Sequence, residues 1–179
     1  MSDFELTEIT PRDYTIVRGD ARSRRLADAI ASVLGLELPA IPNTVVSGTA
    51  HDALWCGPDE WLVVSKIKMD PDMRQDDGAP LPLERSLRPL LAGEFATVVD
   101  VSSGYTSLHL MGARARGVLL KGCPLDLHPD VFTMGACARS HYFRAGILLR
   151  PIDAEAFELV VRRSFADYVS RMLLDAAGA

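Results

Sequence analysis

His51-Asp52-Ala53-Leu54-Trp55-Cys56-Gly57-Pro58-Asp59-Glu60-Trp61-Leu62-Val63-Val64-Ser65 reads as two β-strands about a turn. Residues 51–56 and 61–65 carry the apolar, β-branched and aromatic content of strands, and Gly57-Pro58-Asp59-Glu60 supplies turn chemistry between them. The second strand has an echo nearly a hundred residues later: Asp59-Glu60-Trp61-Leu62-Val63-Val64 is matched by Ala156-Phe157-Glu158-Leu159-Val160-Val161. Working outward, Tyr14-Thr15 followed by Gly19-Asp20-Ala21-Arg22 is echoed by Tyr105-Thr106 followed by Gly112-Ala113-Arg114. Leu36-Glu37-Leu38-Pro39 is echoed in turn by Leu125-Asp126-Leu127-His128-Pro129. A repeated strand, helix, paired strands, helix plan follows. Such units bury one sheet face under helices, so the expected fold is α+β with mainly antiparallel sheets. One domain of two halves is expected, at about residues 1–101 and 102–179.

The remaining segments fit this plan. Residues 4–9 and 14–16 alternate as strands around Pro11. A helix follows, with Asp20 as its cap, Leu26, Ile30, Val33 and Leu34 on one face, and Gly35 as its left-handed stop. Arg22, Arg24 and Arg25 lie on the opposite face, either solvated or meeting an anion or partner. Residues 44–47 form a strand, and 66–82, rich in Pro, Asp and Gly, a long surface loop. A short helix over 83–91 is shortened or kinked by Pro89. Residues 95–101 and 105–111 are strands, forming a hairpin or one bent strand about Ser102-Ser103-Gly104. A helix opened by Gly112 turns Ala115, Val118 and Leu119 inward and is closed by Gly122 and Pro124. Strands at 136–143, 146–150 and 157–161 precede a last helix whose capping box is Ser164 with Asp167 and whose buried face is Phe165, Tyr168, Met172 and Leu173.

Composition narrows the function classes. The 179 residues are 48% hydrophobic and carry 24 acidic against 19 basic side chains, a formal charge of -5, which disfavours nucleic acid as a partner. Apolar runs as short as Val118-Leu119-Leu120 fall far below the roughly 20 residues of a membrane span. The start, Met1-Ser2-Asp3-Phe4-Glu5, has neither the basic region nor the apolar core of a signal peptide, so a cytoplasmic location is expected. Cys56, Cys123 and Cys137, odd in number and without a Cys-x-x-Cys pair, read as buried small hydrophobes. Cys123 as a nucleophile would need a positioned base.

Catalytic and cofactor motifs are absent from the sequence: it contains no Walker A loop, no Gly-x-Gly-x-x-Gly and no His-Glu-x-x-His. His51, His109, His128 and His141 are scattered without metal-ligand spacing, and neither Ser102-Ser103-Gly104 nor Ser164 has a signature of activation. The expectation is no catalytic residue and no metal site. Three segments exceed what a plain core needs. Trp55 and Trp61 flank Gly57, Pro58, Asp59 and Glu60, as core anchors or as part of a partner surface. Asp100 ends a strand before Val101-Ser102, as a turn cap or a ligand or subunit contact. Gly122-Cys123-Pro124-Leu125-Asp126-Leu127-His128-Pro129 is a shaped connector or a further contact.

Taken together, Trp55-Cys56-Gly57-Pro58-Asp59-Glu60-Trp61-Leu62, Val98-Val99-Asp100-Val101-Ser102, the 122–129 connector and Arg163-Ser164-Phe165-Ala166-Asp167-Tyr168 resemble the gamma subunit of heterotetrameric sarcosine oxidase, over about residues 14–174. That family in turn resembles the folate-binding domain of glycine-cleavage aminomethyltransferases. The resemblance implies a companion subunit of a complex that demethylates sarcosine to glycine, makes hydrogen peroxide and passes the one-carbon unit to tetrahydrofolate. It implies that FAD, FMN, NAD, tetrahydrofolate and zinc sit on partner subunits and that alpha, beta and delta subunits are the partners. The candidate subunit-interface residues are then Trp55, Gly57, Pro58, Asp59, Glu60, Trp61, Asp100, Ser102, Gly122, Pro124, Asp126 and His128. Self-association of the isolated chain is also expected. Aminomethyltransferases carry an essential acid after a Gly-Ile-Leu-like strand; Gly146-Ile147-Leu148-Leu149-Arg150-Pro151 has none before Asp153. The alternative is an autonomous folate-binding or aminomethyltransferase-like protein.

Overall fold

The computed structural model describes residues 3–9, 12–66 and 83–178. The surface loop expected at 66–82 lies outside the described residues apart from Lys66. In chain order the elements are β1 (Glu5–Ile9), β2 (Tyr14–Arg18), α1 (Arg24–Leu34), β3 (Val45–Ser47), β4 (His51–Gly57), β5 (Glu60–Ser65), α2 (Leu83–Leu87) and β6 (Thr97–Asp100). There follow β7 (Tyr105–Met111), α3 (Ala115–Leu120), β8 (Ala138–Tyr142), β9 (Ala145–Asp153), β10 (Ala156–Arg162) and α4 (Ala166–Ala177). The strands form two five-stranded sheets, β3-β4-β5-β2-β6 and β1-β7-β10-β9-β8, with antiparallel pairings throughout. The α+β class read from the repeat is the class observed.

Two compact units result, Pro11–Ser102 and Met1–Thr10 with Ser103–Ala179. The first ten residues therefore sort with the second half, where the sequence placed them with the first. Each sheet has the same order of equivalent strands, and the edge strands are exchanged along the chain: β6 pairs with β2, and β1 pairs with β7. This also decides between hairpin and bent strand for β6 and β7: they are neither, because they enter different sheets. The local cause is at Asp100, whose carboxylate accepts hydrogen bonds from both the amide and the hydroxyl of Ser102, starting a 3-10 turn at Ser102–Gly104 that separates the strands.

In the first unit α1 covers one sheet face. Leu26, Ala29, Ile30 and Leu34 pack with Val17, Ala53, Trp61, Val63 and Val98, and α2 adds Leu87. Burying each such large side chain contributes about 1.5–3 kcal/mol. The helix starts on Ser23, whose hydroxyl accepts from the Leu26 amide at 3.2 Å, and not on Asp20. Asp20 instead accepts from the Arg22 amide and pairs with its guanidinium, a local turn that competes with capping. Gly35 closes the helix at φ 63°, as its position implied. α2 stops at Leu87 because Pro89 disfavours helix at the residue before it.

In the second unit α3 and α4 lie on the sheet. Ala115, Val118 and Leu119 face inward as expected, with Leu108, Leu110, Phe157, Leu159 and Val161 beneath them. α4 corrects its expected start, while Leu173 is buried and Tyr168 and Met172 pack partly buried against the core, as expected. A 3-10 turn occupies Arg163–Phe165, the helix has no side-chain cap bond, and its buried residues are Ala166, Val169, Leu173, Ala176 and Ala177. Phe165 falls in the tighter turn before the helix and is left 42% exposed. All three cysteines are buried.

Candidate functional site

The residues singled out from the sequence fall in both units. Trp55 and Trp61 are cross-strand partners on β4 and β5, with a bulge between Trp55 and Gly57. Trp61 is 1% exposed and its indole N–H donates to the Pro39 carbonyl at 2.9 Å, so it holds up the hairpin from the core side. Trp55 is half-buried, while Pro58 and Asp59 project from the tip. Arg18 on β2 braces that tip, reaching Asp59 at 3.1 Å and Glu60 at 3.5 Å.

Asp100 shares this sheet but not this end of it. Thr97 is the residue opposite Arg18, and Asp100 lies three positions further along, opposite Thr15. At about 3.4 Å per residue that is roughly 10 Å along the strand, so the turn and Asp100 do not form one site. Ser102 is buried; its hydroxyl donates to Asp100 and accepts the Tyr14 amide. These bonds give Asp100 the turn-capping role.

In the second unit the connector after α3 is laid onto the core by Cys123 and Leu127, both buried, leaving Pro124, Asp126 and His128 exposed. Asp126 accepts the His128 amide at 2.9 Å, and His128 Nδ1 accepts the Asp130 amide at 3.3 Å. Gly122 is required by space: a Cβ there would sit 2.6 Å from the Phe143 ring and 2.8 Å from that of Tyr142. The Phe143 amide donates to the Gly122 carbonyl at 2.9 Å, so the β8–β9 turn closes on this glycine. Tyr142 donates to the Val118 carbonyl, and burial, then the nearby Cys123 and Asp175, push its phenol up to about 12. Exposed apolar side chains occur near the connector in sequence, at Leu120, Val131 and Met134, and beside Gly122 at Phe143.

A polar cluster that the sequence reading did not assemble lies in the same unit. Glu158 on β10 is fully buried, between Arg150 on β9 and His109 on β7, its two cross-strand partners. Arg150 clamps one carboxylate oxygen through Nε at 2.6 Å and Nη2 at 2.5 Å. The other oxygen accepts the Ser107 hydroxyl at 2.6 Å and stands 3.5 Å from His109 Nε2. The cluster joins three strands, and only their register brings its members together. Arg150, in the Gly146–Pro151 stretch that carries no acid before Asp153, is thus engaged by Glu158.

A family model, the "Sarcosine oxidase, gamma subunit family", matches residues 18–179, which include all of these segments. The chain belongs to the sarcosine oxidase gamma subunit family. Among its relatives is the sarcosine oxidase subunit gamma of Corynebacterium sp. (strain U-96), 32% identical over 151 residues, 83% of this chain and 67% of that one. A chain of the heterotetrameric sarcosine oxidase from Corynebacterium sp. U-96, in complex with pyrrole 2-carboxylate, superposes with a TM-score of 0.84 at 27% identity, covering 98% of this chain and 84% of that one. The glycine cleavage system aminomethyltransferase T of Bartonella henselae shares the fold of this gamma-family chain at a TM-score of 0.65 and 14% identity, covering 97% of this chain and 46% of that one. No helix among the described residues is long and apolar enough to cross a membrane.

Proposed function

We propose that this chain is a companion subunit of a heterotetrameric sarcosine oxidase, carrying no catalytic residue itself. The observation that carries the reading is the superposition over 98% of the chain on a chain of such a complex. The partners are alpha, beta and delta subunits, which hold FAD, FMN, NAD, tetrahydrofolate and zinc and carry out the oxidation of sarcosine to glycine with release of hydrogen peroxide. The complex resides in the cytoplasm.

Docking uses the exposed members of the three segments: Pro58 and Asp59 on the first turn, Asp100, and Pro124, Asp126 and His128 on the connector. Trp61 and Ser102, at 1% and 5% exposure, shape those surfaces from beneath. Arg150 supports the noncatalytic reading. The Gly146–Pro151 stretch has no acid before Asp153, and its Arg150 is buried in an ion pair with Glu158, which leaves no carboxylate there for folate chemistry.

The test is purification from the native source through a tag on this chain. The larger subunits and a visible flavin spectrum are expected to accompany it. Recovery of the chain alone, with no flavin absorbance in the eluate, contradicts the proposal.

A further inference from the structure

We infer that Glu158, presented by the β9–β10 hairpin and neutralised by Arg150, is a register key that selects how β7 joins its sheet. The two pairings of β10 are specified differently. Asp153 pairs with Ala156 across a two-residue turn, and a bulge between Ala156 and Phe157 then sets Glu158 opposite Arg150. β7 reaches β10 only through a connection of more than forty residues, and no turn fixes that register.

Apolar patterning specifies it poorly. β10 is buried on both faces from Ala156 to Val161, so a two-residue slip replaces one buried aliphatic by another and keeps every side chain on its face. Glu158 breaks that degeneracy. In the observed register it stands opposite His109, with the Ser107 hydroxyl donating to it at 2.6 Å. Slipping β7 by two residues sets Glu158 against Met111 or Ser107 and carries the Ser107 hydroxyl or the His109 imidazole out of its observed place beside the carboxylate. A buried carboxylate short of partners is costly, so the slipped pairings are selected against.

The experiment uses the full chain in two variants: R150M/E158L, which replaces the key with apolar side chains, and S107V/H109L, which removes its readers and leaves Glu158 paired with Arg150. Cross-strand amide contacts between β7 and β10 are read by nuclear magnetic resonance. Wild type is expected to give one set, with Leu108 opposite Leu159, and each folded variant more than one. A folded R150M/E158L with the single native set overturns the inference. If that variant does not fold, the same criterion applies to S107V/H109L. Loss of folding in both also overturns it, because the key selects among compact pairings and does not make compaction possible.

Discussion

His51 shows how one side chain records its surroundings. It opens β4 half-buried, and its Nδ1 is enclosed without a hydrogen-bond partner among the described residues. Burial lowers its pKa below the ordinary 6.5, outweighing the opposing pull of Asp13 and Asp52. The fold therefore favours neutral imidazole, whereas the unfolded chain takes up a proton near 6.5. The stability this group contributes is fully present above that value and is lost as pH falls below it toward the folded-state pKa. Urea midpoints at pH 7.5 and 5.5 are expected to show a larger acid loss for wild type than for His51→Gln. Equal losses would remove burial as the cause. Gly35 and Gly122 were legible at this scale, since a helix stop and a connector start are local events. The Ser23 cap was not, because Asp20 and Ser23 are both capping types and only the Asp20–Arg22 turn decides between them.

Among the elements, the exchanged edge strands were the least legible. β1 precedes β2 in sequence yet pairs with β7, placing Leu6 opposite Leu110 and against the core of the second unit. Period-two alternation identified β1 as a strand and contains no statement of which sheet it joins. Leu6→Ala is expected to cost about 1 kcal/mol, in keeping with a half-buried side chain. The lost hydrogen-exchange protection should fall on β7 and β10. Loss confined to β2 would contradict the exchange. The Glu158 cluster was hidden for a related reason: Ser107, His109, Arg150 and Glu158 lie on three strands, and their meeting depends on a long-range register. What the sequence did carry was the repeat itself. The Glu60 and Glu158 segments occupy equivalent central strands, and turn residues separate them from their hairpin partners.

For the whole molecule, the repeat gives two sheets of equivalent strand order, and the family membership gives that duplicated fold a context. Within the first unit the expected docking segments do not converge: the first turn and Asp100 lie at different positions on one sheet. Hydrophobic content of 48% supplies both the buried cores and exposed side chains such as Leu120, Val131 and Met134, which are available for association. The most direct measurement is co-expression of this chain with the larger subunits, followed by size-exclusion chromatography with light scattering and flavin absorbance. One peak of heterotetrameric mass, in which this chain and the flavin elute together, is expected; elution of this chain entirely apart from an assembled, flavin-containing peak would contradict the companion role.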